Sequence, residues 1–296
     1  MIDQVYHIQD CIEGCRQRIK DRSVKFVFAD PPFNIRYGST SAAYRSEMAK
    51  RKEIYYEDAM TPDEYEKFCR SWIGEGYRIL EDDGIMVIMS SWNFVSMIER
   101  ISNEFIGFVT INHVIWRYEF GMFTTHKFST SHYHYLILLK GDPNKRGWTF
   151  NKQKKQQEDV ERETKLFLDE IDPEERERNV LLVAKKIEEL IYEKRGQYAA
   201  DDFFDDLHRL SDRYSGVGHP CKLSEDVLAK FFAIFSNEGD LVVDLFMGSG
   251  TSFVAAAMTR RKYIGFEINK DYEPEIRKLI KNRMTAKKNV KKVDEL

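Results

Sequence analysis

Residues 241–258 read LVVDLFMGSGTSFVAAAM, and this stretch decides the fold. Leu241–Leu245 is a short apolar run rich in β-formers; it stops at the small-residue turn FMGSGTS, and the Ala-rich Phe253–Met258 continues as a helix. A buried strand that passes through a glycine turn into a helix N-terminus sets backbone N–H groups beside whatever lies at the strand's carboxyl end. A nucleotide-like cofactor is the natural occupant. A P-loop would need Gly-Lys-Ser/Thr, but Thr251 follows Gly250 with no lysine. A dinucleotide fingerprint would need a third glycine, but Ser252 and Phe253 follow Gly248 and Gly250. The remaining pattern has an acid at the strand end, Asp244, and a second carboxylate about 20 residues on, where ribose recognition needs it. Glu267, at the end of the strand-like Tyr263–Phe266, fits that place and could accept both ribose hydroxyls.

Upstream, Ser224–Phe235 reads as a capped amphipathic helix, with Ser224 as cap and Val227, Leu228, Phe231, Phe232 and Phe235 as one stripe. The first 140 residues alternate in the same manner. Val24–Phe28, Ile85–Met89, Asn112–Trp116 and Tyr133–Leu139 read as strands; Pro62–Leu80, capped by Thr61, and Asn93–Phe105 read as helices. Strands alternating with helices predict an α/β chain with a mostly parallel, doubly wound, Rossmann-like sheet. Residues 141–216 are polar, highly charged and helical in spacing, and read as an inserted lobe or an arm; the family resemblance given below implies a target-recognition or dimerisation lobe. The organisation is therefore residues 1–140, the insert 141–216, and residues 217–296 with a basic tail.

A second turn carries chemistry. Asp30-Pro31-Pro32-Phe33 ends the strand Val24–Phe28. Two prolines fix φ and remove two N–H donors, leaving a stiff turn whose carbonyls accept. With an aspartate at its head and an aromatic at its foot, the turn makes an acceptor-only slot with a stacking wall, suited to a planar ring bearing an exocyclic NH2.

Composition sets bounds on the rest. The 296 residues carry 46 basic and 49 acidic side chains, a net charge of −3, so no global charge advertises nucleic acid, and 42% hydrophobic residues suffice for a large core. No apolar run approaches the roughly 20 residues of a membrane span, and the N-terminus lacks the basic start and apolar stretch of a signal peptide. The expected location is the cytoplasm, without a membrane. Cys11, Cys15, Cys69 and Cys221 form no CxxC pair and read as buried thiols; His132 and His134 would share one strand face, and no metal is expected. In the polar, tyrosine-rich loop after the slot and in the loop at 118–131, Arg36, Arg45, Lys50, Arg51, Lys52 and Lys127 are basic candidates for phosphate or base contacts, which the resemblance given next makes candidate DNA contacts.

Asp30–Phe33, followed much later by HPCKLSEDVL, DLFMGSGTS and GFEIN, resembles the β-group of S-adenosylmethionine-dependent DNA amino-methyltransferases, in which the catalytic motif precedes the cofactor motif as a circular permutation. The match covers Tyr6–Gly141 and Val217–Arg283. The resemblance implies that Asp30, Pro31, Pro32 and Phe33 hold and stack the target base, with Asp30 also near the cofactor. It implies that Phe246, Gly248, Ser249, Gly250, Thr251 and Ser252, supported by Asp244, wrap the methionine part of S-adenosyl-L-methionine. Glu267 and Asn269 would meet the ribose end, Asp10 and Cys11 the adenine, and His219 and Pro220 would flank the cofactor. Phe33 stands where tyrosine is common, and Lys222 and Leu223 follow Cys221 where a proline pair is common. Pro220-Cys221 precedes the cofactor strand and is not read as a cytosine-C5 nucleophile. Cytosine-N4 enzymes usually carry serine in place of Asp30, so adenine-N6 transfer to double-stranded DNA is the implied reaction, either in a restriction-modification system or by a solitary regulator, with a cognate restriction endonuclease and a homodimer as candidate further partners. The alternatives are cytosine-N4 or RNA amino-methylation, or a catalytically silent nucleic-acid-binding relative.

Overall fold

The computed structural model describes residues 4–34, 59–117, 126, 128, 130–145, 147–151, 165, 203–204 and 223–293, with the side chains of 203–204 and 284–293 excluded. Strand alternation builds two cores. Phe26 and Phe28, Ile85 and Val87, and Tyr135 and Ile137 feed one. Val27 and Ala29, Met86 and Ile88, and Leu136 and Leu138 feed the other. Successive side chains leave a strand on opposite faces, so runs apolar at every position are buried on both.

The elements in chain order are β1 (Gln4–Ile8), α1 (Cys11–Arg18), β2 (Val24–Ala29), α2 (Pro62–Ile79), β3 (Leu80–Ser90), α3 (Val95–Arg100), β4 (Val109–Arg117), β5 (His132–Lys140), β6 (Phe203–Phe204), α4 (Glu225–Phe235), β7 (Leu241–Asp244), α5 (Thr251–Met258), β8 (Lys262–Glu267) and α6 (Glu273–Val293). They form one sheet of eight strands in the order β1-β8-β7-β2-β3-β5-β4-β6. Only β5 runs antiparallel to its neighbours β3 and β4; the other pairs are parallel. The mixed, mostly parallel sheet with helices on both faces is the one the alternation predicts. Val227, Phe231 and Phe232 of α4 and Phe253, Ala255 and Ala256 of α5 cover one face. Tyr65, Cys69, Trp72 and Ile73 of α2 cover the other.

Local chemistry sets the ends. Thr61 and Glu64 form a capping box ahead of Pro62, and Ser224 caps α4 through the Asp226 N–H. Asn93–Phe105 departs from expectation: α3 is short, and Ile101–Ile106 is a π-helical turn. The Ser102 hydroxyl donates to the Ile98 carbonyl, and Gly107, at φ 103, closes the turn by donating to Ser102 O five residues back. Strand β3 starts five residues before the predicted Ile85, and its register to β2 shifts between Val24 and Phe26. The basic tail is one helix through Val293, tied back by Arg283 to Glu225 of α4. The chain divides into two compact units, Met1–Thr149 with Phe203–Leu296, and Phe150–Asp202. Most of the insert, and with it its helical reading, lies outside the described residues. Among the described residues no helix is long and apolar enough to cross a membrane.

Candidate active site

Four neighbouring strands, β1, β8, β7 and β2, are mutually parallel and end at one edge of the sheet. From them emerge, side by side, Asp10-Cys11, Glu267, the turn Asp244–Thr251, and Asp30–Phe33. Segments more than two hundred residues apart in the chain thus line up across three strand spacings, roughly 14 Å. Phe28 of β2 lies in register with Asp244 of β7, and the Leu245 N–H donates to Phe28 O at 3.1 Å. From β7 the chain passes to α5 on one face, and from β2 to α2 on the other. Such a switch point opens a crevice at the carboxyl edge.

The turn after β7 is organised by two buried carboxylates. Asp244 Oδ1 accepts the Phe246 N–H at 3.0 Å, and Glu267 accepts from Gly248 N at 2.9 Å and Asn269 N at 2.7 Å. Gly248 and Gly250 sit at φ 54 and 90, the left-handed region that glycine enters without strain. Gly250 is also the N-cap of α5 and brings no capping side chain, so the first-turn donors of that helix face the crevice edge without one. Burial pushes the Asp244 carboxyl up to about 6 against the pull of Ser252 and the Phe246 N–H. Burial likewise lifts Glu267 to about 7, opposed by its backbone donors and helped by the Asp244 charge. The turn therefore sets latent negative charge beside the uncapped first turn of α5, a cradle that fits a cationic cofactor with a hydroxyl-bearing sugar.

The other candidates on this side are placed as follows. Phe246 packs edge-on against Trp72 and Phe68 of α2, which joins the turn to the opposite helix layer. Ser249 and Thr251 are buried, and Ser252 turns its hydroxyl inward to Tyr263 at 2.7 Å. Asn269 caps the following 3-10 turn through Asp271 N. Asp10 caps α1 through Glu13 N, and Cys11 is buried, its thiol pushed well above the ordinary range. Cys15 and Cys69 are also buried, each pushed up to about 12, chiefly by burial. Ile268, which sequence reading missed, is 72% exposed directly after Glu267 and offers an apolar face there.

The turn after β2 is held from outside. The Tyr65 hydroxyl donates to Pro32 O at 2.7 Å, and Tyr65 packs against Phe94 at 4.8 Å. Asn34, at φ 52, holds both backbone groups of Met60 with its amide, at 2.8 and 3.0 Å, and so ties the end of the β2 turn to the start of α2. The Phe33 ring meets Tyr133 of β5 at 5.7 Å, and Tyr133 meets Trp116 of β4 at 5.9 Å. None of Tyr65, Asn34 or Tyr133 carries a motif; the available signal was only their spacing around the strand ends. Trp92, just past β3 at this same edge, is 56% exposed.

His132 and His134 do share a face, and His113 of β4 joins them, its Nε2 lying 2.7 Å from His134 Nδ1. Burial, then His113 and His132, lowers His134 to about 4. Among the described residues no group of three His, Cys, Asp or Glu could hold a metal ion. His219, Pro220, Cys221, Arg36, Arg45, Lys50, Arg51, Lys52 and Lys127 lie outside the described residues.

Comparison with known proteins adds identity to this geometry. Residues 24–278 match the N6_N4_Mtase family model, described as DNA methylase. The chain is 26% identical to Type II methyltransferase M.HpaI of Haemophilus parainfluenzae, over 86% of this chain and 68% of that protein. It is also 26% identical to M.BamHI of Bacillus amyloliquefaciens, over 96% of this chain, but spans only 57% of that longer protein. In fold it is similar to the crystal structure of an M1.HpyAVI–SAM complex, with TM-score 0.58 and 21% identity, covering 94% of this chain and 98% of that one. It is similar, too, to the cytosine-N4-specific PvuII DNA methyltransferase, with TM-score 0.56 and 16% identity, covering 91% and 83%. The model match runs from β2, whose end carries Asp30, through the glycine turn and into α6, so it contains both turns in their permuted order. This chain belongs to the N6_N4_Mtase family of DNA methylases.

Proposed function

We propose that the protein transfers a methyl group from S-adenosyl-L-methionine to the exocyclic N6 of an adenine flipped out of double-stranded DNA. The observation that carries the reading is the adjacency of β2 and β7, which sets an acceptor-only turn beside a donor-rich one. When bound, the cofactor supplies an electrophilic methyl on a sulfonium. The first turn of α5, which Gly248 and Gly250 lead into without side chains, offers backbone donors to the cofactor's carboxylate end, Glu267 accepts from its ribose, and Ile268 with the Asp10-Cys11 segment borders its adenine. The buried charge of Asp244 favours its cationic end.

Asp30 and the Pro31 carbonyl accept the two amino N–H groups of the target base, while Phe33 covers its ring. An exocyclic amine is a poor nucleophile because its lone pair is delocalised into the ring. Two acceptors favour pyramidal nitrogen, localise that pair and aim it at the methyl. Transfer is then one in-line displacement: the N–C bond forms, the C–S bond breaks, and the amine proton leaves toward Asp30. Orientation can supply about 7–11 kcal/mol of the barrier. Flipping costs a few kcal/mol, and stacking on Phe33 returns ~1–3 kcal/mol. Trp92 and the basic residues after the slot border the DNA, and the cytoplasm is the site of action.

An aspartate at position 30 supports adenine over cytosine-N4, the reading that the PvuII likeness keeps open. The test is nucleoside mass spectrometry after incubation with unmethylated DNA and trideuteromethyl cofactor. Labelled N6-methyladenine is expected, whereas label in N4-methylcytosine, in RNA only, or nowhere would overturn the proposal.

A further inference from the structure

We infer that Tyr133 is a positioning residue of the base slot: its ring, braced by Trp116, holds Phe33 at the angle from which Phe33 stacks on the target base. The inference rests on the base-slot reading of Asp30–Phe33 and goes beyond it by naming what fixes the stacking wall. Phe33 stands in a turn outside any helix or strand, so no backbone ladder sets its ring. What the ring meets instead is Tyr133, with centroids 5.7 Å apart and planes tilted by 50°. Tyr133 is in turn backed by Trp116, which lies 5.9 Å away and is completely buried. Trp116 stacks on Tyr135 at 6.2 Å, and Tyr135 meets Phe231 of α4 edge-on at 4.9 Å. A row of aromatic rings thus runs from the slot to the helix layer, and each ring restricts the angle of the next.

The sheet is arranged to let the two rings meet. Ser90, the last residue of β3, pairs with His134, so Tyr133 lies one residue beyond the part of β5 that β3 covers. On its other side Tyr133 pairs with Trp116 of β4. Phe33 comes from β2, two strand spacings or roughly 10 Å from β5, and its contact with Tyr133 therefore spans the end of β3. Both rings pack against the core that holds Phe28 and Tyr135, which puts them on one face of the sheet. The turn's other supports hold different atoms: Tyr65 donates to the Pro32 carbonyl, and Asn34 holds Met60. Those two act on the frame of the turn, whereas Tyr133 acts on the ring. A ring that is already oriented loses less freedom when a base arrives, so stacking returns more of the cost of flipping.

The test compares Phe33→Ala, Tyr133→Leu, Tyr133→Met, Tyr133→Phe and the double variant of Phe33→Ala with Tyr133→Leu against the wild type. Steady-state kinetics are run on DNA, and a second set of duplexes carries 2-aminopurine in place of the methylated adenine, mapped first by sequencing the wild-type product. Stacking quenches 2-aminopurine, so its fluorescence reports how well the flipped base sits on Phe33. The Leu and Met variants keep the site apolar but remove the ring, and having two guards against misfolding of one. Each is expected to lower kcat/KM for DNA about three- to tenfold, the worth of one aromatic pair, and to brighten the bound probe toward the level of Phe33→Ala. KM for S-adenosyl-L-methionine should stay within about twofold, and Tyr133→Phe, which keeps the ring, should restore the wild-type fluorescence. The double variant should be no worse than Phe33→Ala alone, because Tyr133 acts through Phe33. A merely structural role would lower the melting temperature of the ring-less variants without brightening the probe. That result, a bright probe in Tyr133→Phe, or effects that add in the double variant would overturn the inference while leaving the base slot intact. A Phe33→Ala variant that quenches the probe as the wild type does, or a wild type that methylates no adenine, would instead overturn the reading of the slot itself.

Discussion

The turns after β7 and after β2 leave adjacent parallel strands at the same edge, yet they are built from opposite chemistry. The β7 turn uses two glycines in left-handed backbone to lead into the uncapped first turn of α5 and keeps its carboxylates behind, both lifted toward neutrality by burial. The β2 turn uses two prolines to delete N–H groups and brings an aspartate and carbonyls that only accept, with its Pro32 carbonyl pinned by Tyr65. One side suits a ligand that brings its own acceptors and positive charge; the other suits a ligand that brings donors. Two turns of the same kind would hold one ligand twice. On the proposed reading, two of opposite kind hold two different ligands face to face, the arrangement that group transfer needs.

Breaking the acceptor side alone has the largest expected effect. Asp30→Ala should lower transfer by about 10²–10⁴, the worth of a positioned proton acceptor, with cofactor affinity unchanged within about twofold. Filter-binding of labelled cofactor beside methyl-transfer assays checks it; a parallel loss of both would mean the turns are not separable. Breaking the donor side comes next. Gly250→Val places a β-branched residue at φ 90, a strain of order 1–3 kcal/mol, and should weaken cofactor binding by about tenfold or more while DNA binding in gel shifts persists.

A pH series sharpens the contrast further. The Glu267 carboxyl, raised from its ordinary 4.5 to about 7, is charged later in the folded chain than in the unfolded one. Its contribution to the stability of the unliganded fold is thus full below about pH 4.5 and is lost as pH rises through about 7. Cofactor affinity should move the other way, rising across the same window as the carboxylate becomes a full acceptor for the ribose. Glu267→Gln should flatten both trends in thermal melts recorded with and without cofactor from pH 5 to 8. The smallest effect belongs to the brace: Tyr65→Phe frees Pro32 O and should cost about 1–2 kcal/mol in stability and a few-fold in kcat/KM for DNA, leaving cofactor affinity as it was.

Much of this was legible in the sequence because local patterns carry it. LVVDL and VKFVF are apolar at nearly every position, as only a doubly buried strand can be, and the two turns announce themselves by glycine and proline. Thr61 and Ser224 cap their helices as read. What was not legible depends on contacts between distant segments. Gln4–Ile8 is a short, partly exposed edge strand whose pairing with β8 no local pattern reveals. The π-helical turn at Ile101–Ile106 depends on a buried serine hydroxyl and on Gly107. Tyr65, Asn34 and Tyr263 look like ordinary helix, loop and strand residues until Pro32, Met60 and Ser252 are brought to them. Ser252 shows the same limit from the other side: its place in GSGTS suggests a cofactor contact, whereas its hydroxyl points into the protein.

A crystal structure of the protein with S-adenosyl-L-methionine tests most directly whether the two turns serve one reaction. The cofactor should lie along the β1-β8-β7 edge with its ribose at Glu267, and its methyl should face Asp30 across a gap that admits one amino nitrogen, about 6 Å from methyl to carboxylate. A cofactor seated elsewhere, or one whose methyl points away from Asp30, would contradict the account.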